Sequence, residues 1–275
     1  MNHWLSADNT TSATDDNQSS FGHYTELGWE VSVGRLMVIR MIGEGKITRN
    51  DAIVTLADRT FMYSKFCNVI PYTPTFNPPR HEVGLHFFNY GDWMYEIHYD
   101  SCVPKNHIPW RWPGDIPLIK DFDFEEVNPP PCLVINHRTR NWITNRNSSP
   151  SDTQGLVSMG LEMGLKVYLS GRYAQDVDRR AEYVPRLKTL ASLIHHPNCL
   201  VFHTTAGPTM LAQQCCSNNL ICPMRGIDGN VFGKHPLYMS DYLNFSGCKQ
   251  HLIAPGDIGA AKAILRDAIN KKRGG

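Results

Sequence analysis

The plainest signal along the chain is a series of short apolar segments alternating with longer stretches of helical periodicity. In the second half, Leu133–Asn136 (LVIN), Lys166–Leu169 (KVYL), Cys199–Phe202 (CLVF) and Leu220–Cys222 read as buried strands, with Leu252–Ile253 as a fifth. Unbroken apolar runs of this kind are what a strand covered on both faces requires. Between them the periodicity predicts helices over 153–164, 183–195, 207–216 and 257–272. In the last, Ile258, Ala261, Ile264, Leu265 and Ile269 recur at the spacing that puts them on one face. Ser151 or Asp152 can cap the first helix, and Pro208 suits the first turn of the third. Strands and helices alternating at this spacing predict a parallel sheet with helices on both faces.

The first half is less regular. Leu27, Val31, Leu36, Ile39 and Ile42 predict a helix from Leu27 to Ile42, stopped by Gly43. Asp51–Leu56 (DAIVTL) reads as a strand, followed by a helix over 59–66 capped by Asp58 and by a short strand that starts at Val69–Ile70 and ends at Pro71. Residues 72–131 are dense in proline and aromatic residues (PYTPTFNPP, HIPWRWPGDIP) and follow neither period. The run Asn128-Pro129-Pro130-Pro131 is stiff and cannot continue a sheet, so it marks the expected domain boundary. The predicted fold class is α/β: a polar disordered tail over 1–20, an N-terminal α/β domain over 21–128, and a C-terminal Rossmann-like open-sheet domain over 129–275.

Composition narrows the function. The 275 residues carry a formal net charge of +1, so no broad basic field is available for a nucleic-acid backbone. Any anion must be held by a few placed groups. The eight cysteines form no C-x-x-C pair, and several sit in apolar runs, so buried free thiols are expected. Residues 1–20 lack the basic start and apolar stretch of a signal peptide. No segment approaches the roughly 20 apolar residues that span a bilayer. The expectation is a cytoplasmic protein without an integral membrane segment. G-x-G-x-x-G, G-x-x-x-x-G-K-[ST] and G-x-S-x-G are all absent, which argues against a dinucleotide dehydrogenase, a P-loop enzyme and an α/β-hydrolase.

In an open parallel sheet the ligand lies beyond the carboxyl ends of the strands. Here those ends read Asn136-His137-Arg138-Thr139-Arg140, Ser170-Gly171-Arg172 and His203-Thr204-Thr205-Ala206-Gly207. All are polar, and two carry arginine. Thr204 or Thr205 can cap a helix that begins near Gly207, whose free N–H groups and dipole favour a phosphate. Arg138, Arg140 or Arg172 could add bidentate bonds to a diphosphate.

The segment HTTAGPTMLAQQC resembles the donor-binding turn of GT-B glycosyltransferases. LVINHRTRN resembles the strand-plus-arginine opening of their fucosyltransferase-like branch, and GHYTELGWEVSVGRLMVIR is similar to the first loop and helix of small GT-B enzymes of bacteria and large viruses. The resemblance implies two Rossmann-like domains and transfer of a sugar from a nucleoside-diphosphate donor, a UDP- or GDP-sugar, to a glycan hydroxyl, with no metal or other cofactor. It implies that Arg138 and Arg140 hold the diphosphate, that Thr204, Thr205, Ala206 and Gly207 supply backbone donors, and that His203 faces the base or ribose. Ser170, Gly171 and Arg172 complete the candidate donor site. An inverting transfer also needs a base, for which Glu26 and Glu30 are candidates, with Trp29 and Asp92 toward the acceptor. Two alternatives stand beside this reading. Asp121-Phe122-Asp123 and Asp176-Val177-Asp178 both read D-x-D, the metal-binding signature of GT-A transferases. A non-catalytic glycan- or nucleotide-binding protein would use aromatics such as Trp110, Trp112 and Trp142.

Overall fold

A computed structural model shows two compact units, Met1–Asp123 and Phe124–Gly275. The structure describes residues 20–22, 27, 30–43, 45, 48, 51–72, 116–139, 147–205, 207–223 and 244–274. Both units are α/β with parallel sheets, as the alternating pattern predicts. No helix among the described residues is long and apolar enough to cross a membrane.

The first unit contains β1 (Ser20–Gly22), a π-helical turn over Glu30–Gly34 that runs into α1 (Arg35–Gly43), β2 (Ala52–Leu56), a 3₁₀ turn over Ala57–Met62, β3 (Asn68–Tyr72) and α2 (Ile116–Lys120). Its described strands lie in the order β1-β2-β3. Ser20, placed by the sequence in the tail, pairs with Ala52. The strand expected to stop at Pro71 continues to Tyr72, which pairs with Leu56; among the described strands β3 lies at the edge, where a proline without an N–H is tolerated. The helix expected over 59–66 is instead the 3₁₀ turn, with Arg59, Phe61 and Met62 buried and no side-chain cap.

Buried charged groups organise this unit. Arg35 is wholly buried and donates from Nε to Met62 O (2.9 Å), from Nη1 to Ile119 O (2.7 Å) and from Nη2 to Leu118 O (3.0 Å) and Asp121 O (3.1 Å). Its guanidinium lies 3.9 Å from the centre of the Phe122 ring. Charge-assisted bonds of this number offset the desolvation of the cation. Glu30 is also wholly buried. Its carboxylate accepts from Thr55 Oγ1 (2.5 Å), from Tyr63 Oη (3.2 Å) and from Arg59 Nη1.

The second unit runs β4 (Cys132–Asn136), α3 (Pro150–Glu162), β5 (Lys166–Ser170), a 3₁₀ turn (Ala174–Asp176), β6 (Glu182–Val184), α4 (Leu187–His195), β7 (Cys199–His203), α5 (Gly207–Cys215), β8 (Asn219–Pro223), β9 (Lys249–Ile253) and α6 (Ile258–Gly274). All its strands are parallel, in the order β6-β5-β4-β7-β8-β9. Numbered within the unit, this is the doubly wound order 3-2-1-4-5-6. The predicted helix over 183–195 splits: β6 takes its start, and the helix begins only after Pro185. The residue before a proline is pushed to extended backbone, which suits Val184 to a strand.

α3 packs with α6 and α4 packs with α5. Alternate strand residues Leu133, Ile135, Val167, Leu169, Val201, Ile221 and Ile253 join Leu156, Val157, Ala261 and Leu265 in one core layer. The sheet period of two turns their neighbours, such as Val134 and Phe202, to the other face. Residues before the proline run belong to this unit. Phe124 stacks on His195 with centroids 4.1 Å apart, and Glu125 accepts from Thr189 Oγ1 at 2.7 Å while its N–H donates to Ser192 Oγ at 2.8 Å. The break between units therefore falls at Asp123/Phe124 rather than at 128/129.

Cys67, Cys132, Cys199, Cys215, Cys216, Cys222 and Cys248 are free, buried thiols. Burial pushes the Cys222 thiol up to about 12 from its ordinary value of 9.0. A raised folded-state value gives stability that is complete below the unfolded value and lost as pH climbs through the folded one. The urea midpoint is thus expected to fall between pH 9 and 11, and Cys222→Val to show a shallower fall; an identical pH slope in the variant would reject the assignment.

Candidate functional site

In the order 3-2-1-4-5-6 the chain winds in opposite directions from β4 and β7, so the segments leaving these strands part and open a crevice. The parting segments are Asn136-His137-Arg138 and His203-Thr204-Thr205. Backbone bonds extend the ladder past the strand ends: His137 N–H donates to Ser170 O (2.8 Å) and Thr204 N–H to Ile221 O (3.0 Å). On one side, Asn136 Nδ2 donates to Ser170 Oγ (3.1 Å), and Asn136 Oδ1 accepts from Thr204 Oγ1 (3.2 Å). One amide thus ties the ends of β5, β4 and β7 together. On the other side, His137 Nδ1 and Thr153 Oγ1 are hydrogen-bonded at 2.8 Å, which joins β4 to α3.

Gly171 makes this close approach feasible. Its φ is +115°, and a Cβ there would overlap the His137 carbonyl oxygen and stand 3.0 Å from the carbonyl carbon. Arg138 is buried beside the crevice. Its N–H donates to Ser148 Oγ (3.0 Å), its carbonyl accepts from Ser148 N–H (2.9 Å), and its Nη1 donates to Asn147 Oδ1 (2.7 Å). Ser149, not Ser151 or Asp152, caps α3, accepting from Asp152 N–H at 3.4 Å.

A pocket opens at the ends of β7, β8 and β9, between α3 and α6. Ser148, Ser149, Asp152, Thr153 and Leu156 form its α3 wall, and Gly256, Asp257 and Ile258 its α6 wall. His203, Thr205, Pro223 and Ile253, at the ends of β7, β8 and β9, form its floor. Asp257 caps α6, its Oδ1 accepting from Ala260 N–H at 2.8 Å.

The structure sorts the residues expected from sequence. His203 and Thr205 line the pocket, and Arg138 braces its Ser148 wall. Ser170 and Thr204 belong to the Asn136 network, Gly171 sits against His137, and Gly207 begins α5. Arg172 does not line the pocket; it is exposed and lies over the Tyr173 ring at 5.0 Å. Arg140, Ala206, Glu26, Trp29 and Asp92 lie outside the described residues.

Glu30 departs from its expected role. A general base must reach the proton it removes, and this carboxylate has no exposed surface and is held by Thr55, Tyr63 and Arg59. It is a buried carboxyl group tied to three side chains of its own unit. In each D-x-D, one carboxylate already answers a basic side chain. Asp178 accepts from Arg180 Nε (3.0 Å) and Nη2 (2.6 Å), and those bonds hold its carboxyl below the usual range; Asp121 pairs with Lys65 at 3.2 Å. The pocket residues that sequence reading passed over are Ser148, Ser149, Thr153 and Gly256, with Asp152 and Asp257 noted only near helix starts. Ser148-Ser149-Pro150 carries a helix-start signal, cap then proline, that locates the α3 wall.

No protein family matches the chain, and no curated protein does either. Among solved structures, the chain is similar to one described as the glycosyl transferase family 9 from Veillonella parvula DSM 2008. That likeness has 10% identity and a TM-score of 0.49, and covers 92% of this chain and 90% of that one.

Proposed function

We propose that the second unit binds the nucleoside diphosphate of a nucleotide-sugar and that the protein is a GT-B-like glycosyltransferase acting on a glycan hydroxyl in the cytoplasm. The observation that carries this reading is the polar crevice between the β4 and β7 ends of a doubly wound sheet. A fold of this order hosts many ligands, so the lining must choose among them. Of the segment 203–215, which resembles a GT-B donor-binding turn, His203 and Thr205 line the pocket and Gly207 opens α5.

α5 has no acidic residue in its first turn, so its positive end meets no carboxylate of its own there. The backbone donors of Thr205 and the first turn of α5 suit a diphosphate, and Arg138, just past the end of β4, is the cation this reading assigns to it. As the sugar departs, negative charge grows on that diphosphate, and fixed donors stabilise it without reorganising. The donor in this reading is a UDP- or GDP-sugar, the transfer needs no metal, and Glu26 is the base, with Trp29 and Asp92 toward the acceptor.

A thermal-shift screen against UDP, GDP, ADP, CMP and their sugars tests the proposal. The true donor raises the melting point by mass action. Arg138→Ala is expected to weaken its binding roughly 10- to 100-fold, the effect of losing a charge-assisted partner. Release of nucleoside diphosphate on adding a glycan acceptor separates a transferase from a non-catalytic binder. No response to any nucleotide, or unchanged affinity in Arg138→Ala, overturns the reading.

A further inference from the structure

The turn that leaves β5 breaks a local backbone rule. Tyr173 holds φ +63°, in the left-handed region, and among the described residues no other non-glycine residue has a positive φ. For a bulky L side chain this conformation is strained, whereas Gly or Asn adopts it readily. Burial does not explain the choice, since Tyr173 is 52% exposed. Strain kept at a residue the core does not need points to function.

The turn is also held firmly. Gly171 sits against the His137 carbonyl, and its own carbonyl accepts from Ala174 N–H (3.2 Å) and Tyr183 Oη (3.3 Å). Tyr173 O accepts from Asp176 N–H at 3.1 Å, and Ala174 is buried in the core. The aromatic ring is thus presented from a fixed backbone, which leaves a ligand little ordering to impose. Beside it lies the Arg172 guanidinium, 5.0 Å from the ring centre. Lys166, Arg180 and Arg186 each meet a carboxylate, at 2.8, 2.6 and 3.0 Å. Arg172 is exposed, and among the described residues no carboxylate is paired with it.

Both residues follow the carboxyl end of β5, on the edge where an open parallel sheet binds its ligands. β5 pairs with β4, with Ser170 opposite Asn136, so the turn starts one strand spacing, about 4.8 Å, from the crevice edge. The pocket lies the other way, at the ends of β7, β8 and β9. A tyrosine ring offers the C–H face of a sugar a rigid apolar surface at little entropic cost. A guanidinium fork takes carboxylate or phosphate oxygens bidentately. We infer that Arg172 and Tyr173 form a docking platform for an anionic sugar ring of the glycan acceptor, the ring lying on Tyr173 and its acidic group on Arg172. The ring-and-anion chemistry stands without the donor site; its assignment to the acceptor rests on the donor-site reading above.

The test uses the full chain as wild type, Tyr173→Phe, Tyr173→Asn and Arg172→Gln. Saturation-transfer NMR titrations with methyl glucuronide, glucose 6-phosphate and methyl glucoside give the affinities. In wild type an anionic sugar should bind about three- to tenfold more tightly than the neutral one, and the tighter of the two identifies the acidic group. Arg172→Gln should erase that preference. Tyr173→Asn should weaken all three by about tenfold, while Tyr173→Phe keeps binding. Because Asn suits a left-handed backbone, the melting point of Tyr173→Asn should equal or exceed that of wild type. A fall in that melting point assigns the ring to the fold and overturns the inference. Equal affinity for charged and neutral sugars, unchanged binding in Tyr173→Asn, or no sugar binding at all also overturns it and leaves the donor-site reading standing. Loss of UDP and GDP binding in Tyr173→Asn gives the ring to the donor and overturns the acceptor assignment. Sugars that bind in the expected pattern while no nucleotide binds overturn the donor-site reading and leave the platform standing.

Discussion

Replacing Gly171 with alanine should cost on the order of 4 kcal/mol of stability and abolish ligand binding at the crevice. Two effects add. At φ +115° an L side chain is strained whatever space surrounds it, and here the space is taken by the His137 carbonyl. That carbonyl belongs to backbone at the end of β4 and cannot swing aside as a flexible side chain would. To admit the methyl group, either the β5 end or the β4 end must move, and both are held by the Asn136 amide through Ser170 Oγ and Thr204 Oγ1. Displacement would break the bond of His137 N–H to Ser170 O as well. Urea unfolding gives the stability loss, and nucleotide calorimetry gives the functional one. A variant within about 1 kcal/mol of wild type that still binds would show that this contact does not organise the site.

The second large effect is expected in the other unit. Arg59→Met should destabilise it by about 3–5 kcal/mol, because it leaves the Glu30 carboxylate buried and short of its cation. Thr55 and Tyr63 still donate to that carboxylate, but neither carries charge. Glu30→Gln should also lose stability, so reduced turnover in that variant would not identify a base. The double replacement Glu30→Leu with Arg59→Met removes both charges together and should recover much of the loss, since buried ion pairs are often replaceable by apolar groups of similar volume. Urea midpoints for Arg59→Met, Glu30→Leu and the double variant close the cycle. Additive losses, with no recovery in the double variant, would refute the pairing as the source of the effect.

The sequence revealed what local pattern controls and missed what distant partners decide. LVIN, KVYL and CLVF were legible as buried strands because covering both faces demands apolar runs, and each became a central strand, paired on both sides. The polar strand ends were legible for the same reason: they begin where the apolar runs stop. β6 was obscured because three residues give no periodicity, and Glu182-Tyr183-Val184 blended into the helix that follows. Glu30 was misplaced because its cation lies 29 residues away and its hydroxyl donors at similar distance. Arg35 gave no hint of burial, since the Met62, Leu118, Ile119 and Asp121 carbonyls it satisfies come from segments remote in the chain. In the pocket, His203 and Thr205 could be read from a strand end. Asp257 could be read only as a helix start, because nothing local says that α6 returns beside α3.

The hidden thiols make each unit report on its own openings. Cys67 is the described cysteine of the first unit, while Cys132, Cys199, Cys215, Cys216, Cys222 and Cys248 lie in the second. An alkylating reagent needs exposed thiolate, so adduct formation at any of these positions timestamps a breathing event of the surrounding fold. Peptide mass mapping after graded exposure to iodoacetamide would rank the two halves by how often they breathe, and ligand bound to the second would slow its clock.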